Sequence, residues 1–564
     1  MESKLSAAPA AVFGRTIAIA VSMALLLGAC APAAPAPPAP AATQAAPAAR
    51  PTASPPTPAP TQVLPRSGGT LTVAAVADPP SFDTQQESTW YTSVLVAPAY
   101  NNLLYYDFAT GSKVVPELAE TWNVSSDGKT FTFKLRKGVT FHDGAPLTTE
   151  DVVFNLERMW KPPKGVISGV QPYMAAVDKI EATSSDTVTI GLKFPFAPLL
   201  AALVLDRMPM YSKAYVTKNG DLKTTIMGTG PFKFKSYTPS VKLELEKNDK
   251  YWVKGKPYLD DISFFIIKDK STRLAALRTG RALLSGRTTT GGVGPVDMAS
   301  LKKDAPGLRF VTSPSVSGPW FFMNLRKPPF KDLRVRKAVF LAVDRQAAIK
   351  VIGEGEGLIG SFFPFQDWGA PPDALLKMPG YRQPKDQDFA DAKKLLADAG
   401  YPNGFTLELL SRGNELTKNS AVFMTGQLAQ IGITANVKVL EDAAFWDAGR
   451  KAQQEAMVYT PATVIADPFD MGRFFAPDNP LNFSGDDQDA KLVELWNKQM
   501  GTVDEAARKA IIASLDQYLM TDLLPAVPVV WPTGFIVIAA QVRGYVPGVS
   551  DYSNNRQQET WLAP

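Results

Sequence analysis

The sequence predicts an α/β chain with at least two lobes, and three observations carry that prediction. Strand-type alternation and helix-type caps interleave from Ser67 to Pro564, the pattern of mixed rather than segregated layers. That stretch of roughly 500 residues exceeds what a single hydrophobic core organises. Ahead of it, Ala31 to Arg66 is almost all Ala, Pro, Thr and Ser, too poor in large apolar side chains to fold.

Each element follows from local signals. Gly69 to Ala74 reads as a first strand, stopped by Asp78-Pro79-Pro80, because proline removes a ladder donor. Asp127-Gly128 is a turn signal before Thr130 to Leu135, whose apolar and polar residues alternate as in a half-buried strand. Thr148 to Arg158 reads as a helix, with Thr148 placed to cap it and Glu150 and Asp151 in its first turn. Val188 to Leu192 and Lys242 to Leu245 are further strands. Arg334 to Ile349 reads as one helix, and Ala390 to Ala399 as another that Gly400 and Pro402 end. Ala421 to Ile431 is a helix followed by Gly432 and a strand from Thr434 to Leu440; Arg508 to Met520 is a late helix.

Composition removes several kinds of chemistry. Cys30 is the single cysteine and His142 the single histidine, so a Ser–His–Asp triad and a multi-histidine metal site are excluded. The formal net charge is +5, with lysines and arginines dispersed, which is no nucleic-acid footprint. No metal and no cofactor is implied. The most apolar late stretch, Leu523 to Ala540, is broken by Pro525, Pro528, Pro532 and Gly534 and is no membrane span.

The N-terminus has the three parts of an export signal. Lys4 and Arg15 precede a short apolar run, Ile17 to Leu27, which ends in Gly28-Ala29-Cys30. The run is too short to span a bilayer, and small residues before a cut site complete the pattern. With cysteine at the cut position, residues 1–30 look like a bacterial lipoprotein signal. Cys30 is then the lipidated first residue, which leaves no thiol in the folded part and excludes disulfides and cysteine nucleophiles there. Residues 31–66 are a stiff, extended stalk that lifts the body from a membrane.

Beyond the stalk the landmarks resemble the extracellular solute-binding proteins of family 5, the oligopeptide, dipeptide and nickel group. They are Gly68-Gly-Thr-Leu-Thr-Val73, Asp78-Pro-Pro-Ser-Phe-Asp83, Val115-Pro-Glu-Leu-Ala-Glu-Thr-Trp122 and Phe141-His-Asp-Gly-Ala-Pro-Leu-Thr-Thr-Glu-Asp-Val-Val153. Gly228-Thr-Gly-Pro-Phe232, Arg334-Val-Arg-Lys-Ala338, Ala397-Asp-Ala-Gly-Tyr-Pro-Asn-Gly404 and Asp467-Pro468 follow in family order. The resemblance covers nearly all of Gly68 to Val546. It implies a two-lobed periplasmic-binding-protein fold (type II, like the large cluster C) with a hinge and an interlobe ligand cleft. The implied parts are an N-terminal lobe over 67–313, a second lobe over 314–530 and a return to the first lobe over 531–564. The implied partners are a peptide or small-molecule ligand and an ABC permease and ATPase, with the receptor a monomer on the outer face of the membrane or in the periplasm.

Several residues carry ligand-site expectations, each beside a plainer reading. Asp78, Pro79 and Pro80 end a strand where α/β folds bind ligand, or form a rigid turn. Trp320, Phe321, Trp446 and Tyr459 suit an aromatic pocket wall, or belong to the core. Asp467 ends a stretch that contacts ligand in the family, and Thr463 and Val464 occupy the place where peptide binders carry an amine-binding aspartate. No acid lies between Tyr459 and Ala466, so recognition of a free peptide N-terminus is in doubt unless Asp467 substitutes. In Thr279-Gly-Arg-Ala-Leu-Leu284, Arg281 and Leu283 replace acids common in the family. His142 reads as a hydrogen-bonded structural residue, and Gly228 to Pro231 as a tight turn rather than a phosphate loop.

Three functions fit these features: a tethered receptor for an importer, an enzyme on the same scaffold, and a surface ligand sensor or chaperone. The enzyme reading lacks any nucleophile–base motif.

Overall fold

In the computed structural model, residues 64–564 are described except 87–88, 108–112, 165, 167, 221, 287–291, 315–316, 364–367, 462–463, 466, 478, 486–488, 549, 551 and 554. Cys30, the signal, the stalk up to residue 63 and Thr463 therefore lie outside the described residues.

Among the described residues the first lobe carries two four-stranded sheets. Strand β1 (Thr70–Ala75) belongs to one, and β2 (Ala119–Val124), β3 (Thr130–Leu135), β4 (Val177–Ser184) and β5 (Thr187–Leu192) form the other in the order β2-β3-β5-β4. Strands β6 (Phe232–Thr238), β7 (Lys242–Lys247) and β8 (Asp261–Ile266) complete the first sheet, with β1 parallel to β8. Helix α1 (Thr149–Trp160) packs on the β2–β5 sheet and opens with a capping box. Thr148 accepts from the Asp151 amide at 3.3 Å, and the Asp151 carboxylate accepts from the Thr148 amide at 2.9 Å. The sequence signal for that helix start is thus met reciprocally.

Two strands carry the chain between the lobes. β9 (Arg309–Pro314) leaves the first lobe, and β15 (Trp531–Ile538) returns to it, after the second lobe's β10 (Trp320–Met323), β11 (Thr406–Arg412), β12 (Thr434–Leu440), β13 (Ala456–Tyr459) and β14 (Ala526–Pro528). β9 and β15 pair antiparallel, Arg309 opposite Ile538 and Pro314 opposite Thr533. Leu284 bridges to both Val73 and Ile538. The segment Arg281 to Leu284 therefore welds β1 to the returning strand, with Leu283 buried and Arg281 on the surface.

The second-lobe sheet has the order β12-β11-β13-β10-β14, with β11, β12 and β13 parallel. The C-terminal residues of those three strands, Arg412, Leu440 and Tyr459, share one end of the sheet with Trp320, which stands opposite Tyr459. Helices α2 (Leu333–Ala342), α3 (Asp386–Asp398), α4 (Glu415–Ala429), α5 (Asp442–Arg450), α6 (Pro468–Gly472), α7 (Ala490–Gly501) and α8 (Glu505–Tyr518) surround it.

The long helix expected over Arg334 to Ile349 is two helices. Val343 is extended, and Asp344 caps a new helix by accepting from the Ala347 amide at 3.0 Å. An aspartate that bonds its own following backbone competes with helix continuation. Helices α3 and α4 begin at Asp386 and Glu415, several residues before the expected starts. Asn414 caps α4 through the Thr417 amide at 3.0 Å.

Candidate functional site

The lobes meet at the C-terminal end of the second-lobe sheet, where open α/β sheets bind ligands. Beyond β13 the chain turns into α6, and this turn touches the first lobe. Tyr173 donates to Asp470 at 2.7 Å. Phe196 and Tyr173 pack edgewise or tilted on Phe469 at 5.5 and 5.7 Å between centroids. The Ala197 amide donates to the Met500 carbonyl at 2.8 Å, and Ser550 of the C-terminal return donates to the Val464 carbonyl at 2.8 Å.

Two of the expected aromatics come together at this end, beside Phe474 and Phe483. Tyr459 lies 5.1 Å from Trp446 and 5.7 Å from Phe474, and Trp446 lies 5.8 Å from Phe483. Trp446 and Tyr459 are half-buried and form a wall. Trp320 is different, and this corrects its reading as a wall residue. It is fully buried, stacked on Phe475 at 5.3 Å and met edge-on by Phe362 and Trp531, so its ring belongs to the core. Phe321, buried beside Phe330, is core as well. The indole nitrogen of Trp320 nonetheless has no hydrogen-bond partner, nor has the Thr460 hydroxyl at the end of β13.

Asp467 has a partner of its own. Its oxygens accept from Arg508 Nη1 and Nη2, the latter at 2.7 Å, and one of them caps α6 through the Phe469 amide at 2.9 Å. Both side chains of the pair are 5% exposed. The Arg508 guanidinium already neutralises this buried carboxylate, which gives it a structural role beside the ligand-site reading. Asp470 is engaged as well, by Tyr173 and by the amides of Val464 and Ile465 at 2.5 and 2.7 Å.

Asp78 serves the β6–β7 hairpin. It accepts from the Tyr237 hydroxyl at 2.9 Å and the Ser240 amide at 2.6 Å, with Lys268 at 3.2 Å. Burial pushes its carboxyl up, but the Ser240 amide and the other donors outweigh this and hold it below the usual carboxylate range. Pro79 is buried and Pro80 exposed, as a rigid turn requires.

His142 has the structural role read from the sequence. It accepts from the Gly228 amide through Nδ1 and reaches the Gly230 carbonyl through Nε2 at 3.2 Å. Burial lowers its pKa to about 4. A Cβ on Gly228 or Gly230 would sit 2.2 to 2.3 Å from the backbone of Ala99 and Tyr100, so these glycines mark a close backbone approach. Among the described residues no cluster of His, Cys, Asp or Glu is arranged to hold a metal ion, and no helix is long and apolar enough to cross a membrane.

Sequence reasoning missed Arg473, which follows α6 directly. Its Nε donates to the Asp470 carbonyl at 3.1 Å. It is close enough to Tyr173, Tyr459 and Tyr552 to interact with all three electrostatically, and these phenols come from three separate segments. Arg412 is nearby, over the Trp446 ring and paired with Asp442 at 2.9 Å.

Comparison with known proteins places this geometry. The model of the bacterial extracellular solute-binding proteins, family 5 (middle region), matches residues 113–480. The glutathione-binding protein GsiB of Pectobacterium atrosepticum is 33% identical over 353 residues, which are 62% of this chain and 64% of that protein. The match thus spans slightly under two thirds of that relative. DppA of Helicobacter pylori, solved with the peptide STSA, is 28% identical, covers 88% of this chain and 98% of its own, and superposes with a TM-score of 0.69. AgaA of A. tumefaciens R10, solved with agropinic acid, is 27% identical over 88% of this chain and 99% of its own, also with a TM-score of 0.69. With the two lobes, the paired crossing strands and a family match over well more than half of its length, the chain belongs to the bacterial extracellular solute-binding proteins of family 5.

Proposed function

We propose that this chain is the extracytoplasmic substrate-binding protein of an ABC importer, which captures a peptide or another mid-sized organic solute between its lobes. The observation that carries this reading is the seam. The lobes are joined by two adjacent strands, β9 and β15. Between the lobes, Tyr173 meets Asp470, Phe196 meets Phe469 and Ser550 meets Val464, where buried residues of both lobes join one apolar cluster. The two paired crossings are the construction of a hinge that closes over ligand. The first lobe runs over 67–313, the second over 314–530 and the return over 531–564, with the hinge at the two crossings.

The relatives support the class of solute, since glutathione, a peptide and agropinic acid appear in their names. Trp446 and Tyr459 supply an aromatic wall for the less polar part of such a molecule. The receptor binds reversibly, without turnover, as a monomer held to the membrane by lipid on Cys30 through the 31–66 stalk.

The test is a thermal-shift screen of the full chain with peptides, sugars and amino-acid conjugates. A ligand that binds only the folded form stabilises it by about 2.7 kcal/mol at a hundredfold excess over its Kd. A saturable shift, together with loss of uptake of the same solute when the gene is deleted, is the expected outcome. A shift without any uptake defect would point to a sensor instead. Replacing Cys30 with Ala should release the protein from the membrane fraction, and retention there would end the lipid-anchor reading.

A further inference from the structure

Four groups at the seam have no hydrogen-bond partner among the described residues, and all four can donate. Among the described residues, Arg473 Nη1 and Nη2 make no hydrogen bond; the nearest carboxylate contact of this side chain is Nε to Asp470 at 3.8 Å. Its side chain is only 19% exposed. The Tyr459 hydroxyl likewise has no partner among the described residues. Trp320 Nε1 and Thr460 Oγ1, buried on the same pair of strand ends, add two more unpartnered groups. A guanidinium and an indole can only donate. Leaving Trp320 Nε1 and Thr460 Oγ1 unpaired where they are fully buried is costly.

Three carboxylates at the seam, among the described residues, already have partners. Asp467 is held by Arg508, and Asp470 by Tyr173 and two backbone amides. Asp442 is paired with Arg412. Among the described residues a ligand ammonium placed here finds no free carboxylate, whereas a ligand carboxylate finds a guanidinium with both terminal nitrogens open and the Tyr459 phenol within electrostatic reach of it. The fork of a guanidinium matches two carboxylate oxygens.

We propose that Arg473, assisted by Tyr459, is the anion-binding residue of the cleft, and that the solute is a carboxylic acid whose recognition needs no free amine. The apolar body of the acid rests on the Trp446 and Tyr459 wall. This assignment rests on the receptor reading above and adds to it the charge of the ligand and the residue that reads it.

The test uses the full chain and matched probes: N-acetyl-Ala-Phe and its C-terminal amide, Ala-Phe and its amide, and acid–amide pairs of amino-acid–sugar conjugates. Affinities are measured by titration calorimetry for wild type, Arg473→Gln, Arg473→Lys and Tyr459→Phe. In at least one pair the wild type should bind the acid ten- to a hundredfold more tightly than the amide, and acetylating the amine should change affinity little. Arg473→Gln should erase the acid's advantage, Arg473→Lys should keep part of it, and Tyr459→Phe should weaken the acid several-fold. Equal binding of acid and amide by wild type overturns the assignment while leaving the receptor intact, and that comparison needs no variant to fold. An acid preference that survives in folded Arg473→Gln overturns it too. If no member of any pair binds wild type, the receptor reading itself falls and takes the assignment with it.

Discussion

Replacing Asp467 with Ala separates a scaffold acid from a ligand acid. The substitution strips Arg508 of a carboxylate 2.7 Å away and removes the cap on the Phe469 amide. Arg508, whose side chain is 5% exposed, is left with Gln499 alone, at 2.9 to 3.1 Å. Removing one member of a buried ion pair costs about 3–5 kcal/mol, and losing an N-cap adds about 1 kcal/mol. A lobe of roughly 200 residues gains about 0.4 kcal/mol/K of entropy on unfolding. The Tm should therefore fall by about 10–15 °C if the second lobe melts alone, and by about 4–6 °C if the whole body melts together. Differential scanning calorimetry distinguishes the two. The double variant Asp467→Ala/Arg508→Met should recover most of the loss, because an apolar replacement leaves no stranded charge. The reasoning is refuted if Asp467→Ala melts within a degree or two of wild type yet loses ligand affinity; the acid would then be facing the solute.

Three further substitutions probe the seam, the return segment and the acid limb. Tyr173→Phe deletes the hydroxyl that reaches Asp470 across the lobes at 2.7 Å, a bond worth about 1–3 kcal/mol to a charged acceptor. Ligand affinity should drop several-fold and small-angle scattering should report a more open apo protein, whereas unchanged values in both would remove this bond from closure. Arg556→Met leaves Asp206 and Glu117 buried without their shared cation, which stands 2.7 Å from Asp206; a urea midpoint equal to wild type would contradict the expected loss of about 4 kcal/mol or more. His142 is held neutral by burial with a pKa of about 4 against an ordinary 6.5. The stability it contributes is complete above pH 6.5 and is lost as pH falls toward 4, at most about 3 kcal/mol. Asp516, pushed up to about 6 by burial, slopes the other way from about pH 4 to 6. His142→Gln should therefore lose less stability than wild type between pH 7.5 and 4.5 in urea titrations, and parallel curves would exclude the effect.

Local chemistry made much of the fold legible. Thr130 to Leu135 and Thr434 to Leu440 are strands over the residues their alternation marks. The Thr148 cap could be read because its partners lie three residues away. The starts of α3 and α4 were not legible, because their first turns are mostly polar and carry no apolar period, although Asp388 and Thr417 in them are buried. In the site, Trp446 and Tyr459 were readable as aromatics, but not their ring contact, which joins α5 to the end of β13. Asp467 was readable as a motif but not as half of an ion pair, since Arg508 is 41 residues further on. Arg473 gave no signal at all. An arginine after a short helix is ordinarily solvated, and only the meeting of the short turn Gln171–Met174, the end of β13 and the C-terminal return around it makes this one unusual.

Closure and charge recognition are coupled in this geometry. Tyr173 and Tyr552 belong to the first lobe and its return, and Tyr459 and Arg473 to the second, so the phenols around the guanidinium come from both sides of the seam that the Tyr173–Asp470 bond crosses. An anion on Arg473 then gains contacts in the closed form that the open form cannot provide. A ligand shifts an equilibrium only by its differential affinity for the two states. A ten- to hundredfold preference for the closed form carries an apo protein that is about one-tenth closed to a half-closed or mostly closed one. An amide of the same shape, which lacks the charge, fills the wall without supplying that difference. The acid–amide comparison should therefore appear in scattering as well as in calorimetry: the acid compacts the protein at saturation, and the amide at equal occupancy compacts it less. Equal compaction by both would mean that shape rather than charge drives the hinge.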